Sequence, residues 1–344
     1  MEKQITVAVL TNETGAHLSA YFAALKEIKA VKEVILSDPG QTQVEAARSQ
    51  LGSKLTAIYD QPEILFQQEK PDLVLVTMQA RQAPQAIHLA LDNGCHVFSE
   101  KPACLSVQQF EPLVQKAESK HLHLSLALAN RTNPEIQFAR SLIQGGSLGK
   151  IYGVEMTLLA DQTRLKSPAY QKSWYAHKDQ AGGGFLSWLG IHWLDLSMYL
   201  TESSITDVAG FTALVGGQPI DVEDSAALSF RYAAGFLGTL TAGYYMKQGY
   251  QSMIKIWGSN GWLEMLPFEE RPLEWTLNHN GKTLKFDKST EPRGYTPAVE
   301  KAVLAVAHDQ PPLLTSRESL RIIRTIYAFY EAARSGMTQT IPQI

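Results

Sequence analysis

Residues 73–102 read LVLVTMQARQAPQAIHLALDNGCHVFSEKP, and their order decides the fold. Leu73 to Thr77 is a short, continuous apolar run rich in β-branched residues, as expected of a strand covered on both faces. Ala83 to Asp92 then carries apolar residues at helical spacing, and Asn93-Gly94 behind it is a helix stop. At His96-Val97-Phe98 the strand signal returns. Strand, helix and strand in close succession make a parallel crossover unit.

Working outward, the same alternation fills the first third of the chain. Ile5 to Leu10 and Val34-Ile35-Leu36 are strand-like. Ser106-Val107-Gln108-Gln109 reads as a capping box, and Phe110, Leu113, Val114 and Ala117 follow at helical spacing. The fold class is therefore α/β, with a doubly wound parallel sheet at the N-terminus. Near residue 125 the texture changes. Asn133-Pro134 starts a helix with Ile136, Ala139, Leu142 and Ile143 as its buried stripe, and Gly145-Gly146-Ser147 ends it. Long β-rich stretches follow at Ile151 to Leu159, Ala226 to Tyr232, Phe236 to Tyr245 and Ser252 to Trp257. Turn signals at Ala233-Ala234-Gly235 and Ser259-Asn260-Gly261 make an antiparallel or mixed sheet the natural reading. An amphipathic helix from about Ser316 to Arg334 closes the chain. Two domains are expected, 1–124 and 125–344, with no flexible linker and no internal repeat.

Composition agrees with that size. The 344 residues correspond to roughly two domains at about 150 residues each. With 31 Lys+Arg against 34 Asp+Glu the net charge is −3, and a nucleic-acid partner, which calls for a basic excess, is not expected. No apolar run approaches the length of a membrane span. The start, Met1 to Gln4 and the short run Ile5 to Leu10, lacks the pattern of a signal peptide. Cys95 and Cys104 are too few for a disulfide framework, so a cytoplasmic protein is expected.

Three segments carry chemistry. Leu10-Thr11-Asn12-Glu13-Thr14-Gly15-Ala16-His17 stands where a dinucleotide-binding fold has its glycine-rich turn, yet it holds one glycine and one acidic residue. An ordinary strand-to-helix loop is the competing reading. Asp38 ends the second strand, 23 residues after Gly15, where a carboxylate accepts from a ribose 2′-hydroxyl and disfavours a 2′-phosphate. It reads equally as a turn residue ahead of Pro39. Glu100-Lys101-Pro102 follows a strand and so lies at the carboxyl edge of the sheet, where open α/β folds bind ligands. There the Lys101 ammonium can stabilise charge on a reacting oxygen; a surface lysine is the alternative. Finally, Gly182-Gly183-Gly184 opens an apolar, helix-like run to Asp195, with His192 and Asp195 on one side. His192 suits a proton shuttle, or a buried histidine bonded to Asp195 or to backbone.

Residues 90–102 and 182–195 together resemble the Gfo/Idh/MocA oxidoreductases, the family of glucose–fructose oxidoreductase and inositol dehydrogenase. The resemblance extends through Ser147-Leu148-Gly149-Lys150-Ile151, Ile256 to Glu264 and Arg317-Glu318-Ser319-Leu320, essentially the whole chain. It implies a Rossmann domain followed by an α/β domain with a large, mostly antiparallel open sheet. It also implies NAD(P)-linked chemistry on sugars, polyols or related small molecules, and a homodimer or homotetramer formed through that sheet. Lys101 and His192 are then the expected catalytic residues. Thr11, Asn12, Gly15, Asp38, Thr77, Gln79, Glu100 and Lys101 are the expected cofactor contacts, with NAD(H) favoured over NADP(H) by Asp38. Arg131, Trp174, Tyr175, Trp188 and His192 are the expected substrate contacts.

Three departures stand out. The dinucleotide loop is short of glycine. Thr77-Met78-Gln79 replaces the family's Thr-Pro-Asn, with Gln82 in place of a downstream His. Trp188 occupies the position of the usual aspartate four residues before the histidine, and an indole offers one donor and no acceptor. Trp188 offers instead a stacking face for a sugar ring. Arg131 and Tyr175 also read as a solvated turn residue and a packing aromatic. No metal is expected: His121 and His123 do not make a site alone, and neither a His-Glu-x-x-His nor a paired Cys-x-x-Cys motif occurs. An NAD(P)-dependent oxidoreductase is the leading expectation. A cofactor-retaining enzyme of glycoside cleavage, or a non-catalytic dinucleotide- or sugar-sensing regulator, is the alternative.

Overall fold

A computed structural model describes residues 3–279 and 281–343. They form two compact units. The first runs to Ala129 and takes in Asp179–Gly182 and Pro292–Leu320; the second holds Asn130–Lys178, Gly183–Glu291 and the stretch from Arg321 onward.

The first unit is built on six parallel strands: β1 (Ile5–Thr11), β2 (Val31–Ser37), β3 (Leu55–Tyr59), β4 (Leu73–Thr77), β5 (His96–Ser99) and β6 (Leu124–Leu126). Their order is β3-β2-β1-β4-β5-β6, so the winding reverses between β1 and β4. Ligands bind beyond the carboxyl ends of the strands at such a reversal. Helices α1 (Leu18–Glu27), α2 (Val44–Leu51), α3 (Pro62–Gln68), α4 (Ala83–Asp92) and α5 (Val107–Ser119) lie between the strands. With helices on both faces, β4 is buried at every position, which is why Leu73 to Thr77 shows no alternation. The stop after α4 is a Schellman turn: Gly94 adopts φ 76°, Cys95 N donates to Ala90 O at 3.1 Å and Gly94 N to Leu91 O at 3.1 Å.

Two sequence expectations change here. The capping box at Ser106 marks the start of α5, but the Gln109 side chain accepts from Leu105 N at 2.8 Å, one residue beyond the reciprocal partner. The single cut after residue 124 gives way to a first unit that the chain re-enters. Arg81 N donates to Gln180 O at 3.1 Å, tying in Asp179–Gly182. The helix Tyr295–His308 buries Ala298, Val299, Val303 and Ala307 in one core with Ile5, Tyr21, Phe22 and Leu25. The exposed edge of β6 is then closed by side chains: Ser316 Oγ accepts from Leu124 N (3.1 Å), Ser319 Oγ from Leu126 N (3.3 Å), and Ser125 Oγ donates to Leu314 O (2.6 Å).

The second unit carries a nine-stranded sheet of β7 (Ile151–Asp161), β8 (Ile205–Ala213), β9 (Ser225–Tyr232), β10 (Leu237–Met246), β11 (Tyr250–Gly258), β12 (Gly261–Met265), β13 (Leu273–Leu277), β14 (Thr283–Phe286) and β15 (Gln339–Thr340). The order is β14-β13-β12-β11-β7-β10-β9-β8-β15. Only β7 and β10 pair in parallel; the other pairs are antiparallel, the mixed sheet that the hairpin signals imply. Strand β9 alternates buried and exposed residues, as a sheet with one covered face must. The helix Ile191–Thr201 packs against the helix Pro134–Gln144 and against β7. On the other face Phe211 and Leu237 are 75% and 59% exposed. No helix among the described residues is long and apolar enough to cross a membrane.

Candidate active site

In the first unit the expected cofactor contacts gather at the carboxyl ends of β1, β2 and β4. The loop after β1 is held by its own side chains. Asn12 Oδ1 accepts from Thr14 N at 2.9 Å and from the Thr14 hydroxyl, while Asn12 Nδ2 donates to Gln82 Oε1 at 2.7 Å. Thr14 Oγ1 in turn accepts from Gln79 N at 3.0 Å. Thr11 and Thr77, expected to touch cofactor, are buried and bind backbone instead: Thr11 Oγ1 donates to Thr77 O (2.9 Å) and Thr77 Oγ1 to Ala16 O (2.7 Å). They join β1, β4 and the loop. At Gly15 a Cβ would lie 2.3 Å from Thr11 Oγ1 and 2.6 Å from Leu18 Cδ1, so the one glycine sits where helix and strand approach most closely. Glu13 is exposed and points away from the loop's interior, with its Oε2 near Gly40.

Asp38 is fully buried at the end of β2. Its Oδ2 accepts from Gln43 N at 2.7 Å, the turn role, while its Oδ1 is buried without a partner. Ser37 Oγ and Gln79 Oε1 are likewise buried and unsatisfied. Such groups carry a desolvation cost unless something binds them. Beside them is a cavity of about 200 Å³ lined by Asn12, Ser37, Pro39, Glu63, Met78 and Gln82 among others, with no Lys or Arg. A neutral, hydroxyl-bearing group such as a ribose fits this donor set.

Glu100 and Lys101 follow β5 and are both buried. Glu100 was expected to touch cofactor, but both its oxygens are engaged inside the unit. Oε2 accepts from Tyr21 Oη at 2.6 Å and lies 3.0 Å from His17 Nδ1; Oε1 accepts from the Lys101 backbone N at 3.1 Å. Burial raises its pKa, but the His17 bond, the Lys101 charge and the Tyr21 bond outweigh this and hold the carboxyl below its usual value. Burial pushes the Lys101 ammonium down to about 8, against the upward pull of Glu100. A lysine so placed loses or keeps its proton close to neutral pH.

In the second unit Gly183 and Gly184 allow a close approach. A Cβ on Gly183 would strike the Tyr330 ring, at 2.1 Å from its oxygen, and one on Gly184 would lie 2.1 Å from Glu223 O. A π-helical turn, Leu186–Gly190, leads into the helix Ile191–Thr201. Its start is capped by an acid that the sequence did not reveal. Glu223 accepts from Gly184 N (2.6 Å), Leu186 N (3.0 Å) and Tyr330 Oη (2.8 Å), and Tyr330 Oη accepts from Ser187 N (3.2 Å). The only sequence trace of this clamp is the acidic pair Glu223-Asp224 just before β9.

The helix presents His192, half-buried, four residues beyond Trp188. Asp195, three residues on, is fully buried. It forms a buried ion pair with Arg131, at 2.6 Å from Nη2 and 3.0 Å from Nε. Arg131, expected to reach cofactor or substrate, is buried in this pair, and its guanidinium also covers the Tyr199 ring at 4.5 Å. Trp174, Tyr175 and Trp188 do come together. Tyr175 stacks on Trp188 (centroids 5.0 Å, 23°) and Trp174 meets Trp188 edge-on (5.4 Å, 88°). Tyr170 extends the cluster at 4.9 Å from Tyr175.

Comparisons with known proteins follow the same division. A family model described as the NAD-binding Rossmann fold of an oxidoreductase family matches residues 14–128, and the GFO/IDH/MocA C-terminal domain matches residues 136–264. The chain is 27% identical to D-glucoside 3-dehydrogenase of Escherichia coli over 182 residues, 53% of this chain and 49% of that protein. It is 24% identical to myo-inositol 2-dehydrogenase of Thermotoga maritima over 243 residues, 69% of each. The alignment thus spans about half the length of the first relative. Levoglucosan dehydrogenase, solved in complex with NADH, shares the fold at a TM-score of 0.88 and 16% identity, covering 98% of this chain and 100% of that one.

Proposed function

The chain belongs to the Gfo/Idh/MocA oxidoreductase family, and from that premise we propose that it is an NAD(P)-dependent dehydrogenase or reductase. Its substrate is a sugar-, polyol- or related small-molecule alcohol or ketone. Relatives named as glucoside and inositol dehydrogenases support the substrate class. The observation that carries the reading is the buried Lys101 at the carboxyl edge of the parallel sheet, its pKa lowered to about 8 by burial against the upward pull of Glu100.

A bound nicotinamide supplies the hydride acceptor or donor. Lys101 donates to the reacting oxygen and stabilises its negative charge, worth most where water is excluded. His192 takes the hydroxyl proton, or returns it in reduction, as a group that titrates near neutral pH can. Asp195 is paired with Arg131, and Trp188 stands four residues before the histidine. The Trp188–Tyr175 pair supplies an apolar wall suited to the C–H face of a ring. The unsatisfied Asp38 Oδ1 and the absence of a cation in the adjoining cavity support NAD(H) over NADP(H). The exposed Phe211 and Leu237 support a homo-oligomer built through the nine-stranded sheet. The charge and cysteine content support a cytoplasmic location.

The test is turnover by Lys101→Ala and His192→Ala on a substrate found by screening cyclic polyols and glycosides. Each is expected to lower kcat by about 100-fold or more, the usual worth of one positioned acid–base or charge-stabilising group. Full turnover by both variants would overturn the assignment.

A further inference from the structure

Glu100, the neighbour of Lys101 in the chain, is the centre of a side-chain cluster that the proposed chemistry does not use. We propose that His17 and Tyr21 are positioning residues that fix the Glu100 carboxylate as the built-in counter-charge of the Lys101 ammonium. The proposal rests on Lys101 being the catalytic cation.

Four separate segments of the first unit meet at this carboxylate. Tyr21 comes from α1, His17 from the end of the dinucleotide loop, Tyr295 from the helix Tyr295–His308, and Glu100 from the end of β5. Tyr21 Oη donates to Glu100 Oε2 at 2.6 Å, a short charge-assisted bond. His17 Nδ1 lies 3.0 Å from the same oxygen and 2.9 Å from Tyr295 Oη. An ionised carboxylate only accepts, so the proton on Nδ1 is directed toward Glu100. Tyr295 sets the imidazole: its ring centroid is 5.0 Å from that of His17 and 5.0 Å from that of Tyr21. His17 itself adopts a left-handed φ of 58° immediately before α1. A non-glycine residue in that region is held there by its surroundings.

The purpose of such a cluster follows from electrostatics. A carboxylate taken out of water reverts to the neutral acid unless donors satisfy it, and a buried ammonium reverts to the amine unless a negative charge stands by. Glu100 has donors on both oxygens, and its charge is the one that raises the Lys101 pKa while burial lowers it. Tyr21 is pushed well above its ordinary value by burial and by Glu100, so it stays a donor throughout the working range. Burial and Glu100 likewise raise Tyr295, which therefore adds no charge of its own. Removing a donor weakens the carboxylate, and the ammonium weakens with it. Because His17 lies at the end of the loop after β1, the same bond joins that loop to Glu100 at the end of β5.

The experiment reads the lysine directly. Lysine Nζ is labelled with ¹⁵N in the full-length protein, the Lys101 signal is assigned by its loss in Lys101→Arg, and its midpoint is followed with pH. The wild type is expected to titrate near 8. Glu100→Gln sets the scale, with a fall of about one pH unit or more. His17→Ala and Tyr21→Phe are expected to fall in the same direction, and His17→Gln, which keeps a donor, to fall less than His17→Ala. In a Glu100→Gln background His17→Ala is expected to add nothing, a non-additivity that general destabilisation does not produce. An unchanged midpoint in both His17→Ala and Tyr21→Phe, or an undiminished His17→Ala shift in the Glu100→Gln background, would overturn the proposal. The partly exposed His17 keeps the test available if Tyr21→Phe does not fold. The titration needs no turnover, so a fully active Lys101→Ala protein would refute the proposed function on separate grounds.

Discussion

Gly15 is held between Thr11 Oγ1 and the Leu18 side chain, with Thr77 O 3.2 Å from where a Cβ would stand. Gly15→Ala must therefore displace Thr11 from its bond to Thr77 or push α1 off the sheet. A loss of about 1–3 kcal/mol in denaturant unfolding is expected; an unchanged midpoint would show that the loop has slack. The example also marks how far single residues can be read. Lys101 and His192 stand out in the sequence because a charged or titratable side chain beside an apolar run has few structural uses. Arg131 was not, because its partner Asp195 lies 64 residues away and nothing in the sequence announces the pair. Glu100 was read as a cofactor contact from its place beside Lys101, but its donors come from residues 17 and 21, and only the folded sheet brings them together.

Among the elements, the helix Ile191–Thr201 depends on residues far from it. Gly184 N and Leu186 N, both at its approach, are satisfied by the Glu223 side chain, and Ser187 N by Tyr330. Burial raises the Glu223 pKa, while the backbone donor at Leu186, Tyr330 and the donor at Gly184 oppose it. Glu223→Ala leaves two buried N–H groups without an acceptor, and an unfolding loss of at least about 2 kcal/mol is expected. A loss of a few tenths would mean that water replaces the carboxylate. The glycines at 182–184 were legible as a special segment, since three in a row before an apolar helix need a steric reason. The reason itself, Tyr330 against Gly183, was not, because it lies in the last helix. Strand positions were legible wherever burial alternates or fills both faces. Their pairing was less so: β7 and β10 are parallel neighbours although 75 residues separate Asp161 from Leu237, a crossover no hairpin signal encodes.

For the whole molecule, the sequence showed an α/β first part and a β-rich second part, because the hydrophobic period changes near residue 125. It did not show the chain's return. Pro292–Leu320 completes the first unit by covering α1 and the edge of β6, and that debt of exposed apolar surface is invisible until the sheet is formed. Tyr295, which sets His17, arrives with this segment. His17, which meets Glu100, therefore depends on a residue 278 positions further along the chain, and the glycine-poor loop after β1 is shaped by side-chain bonds of Thr11, Asn12 and Thr14 rather than by glycines. The most direct test is calorimetric titration of the purified protein with NAD⁺, NADH, NADP⁺ and NADPH at fixed salt. Micromolar binding of NAD⁺ or NADH, tighter than of their phosphorylated counterparts, is the predicted result. No binding of any of the four would contradict the account and leave a dinucleotide fold without its ligand.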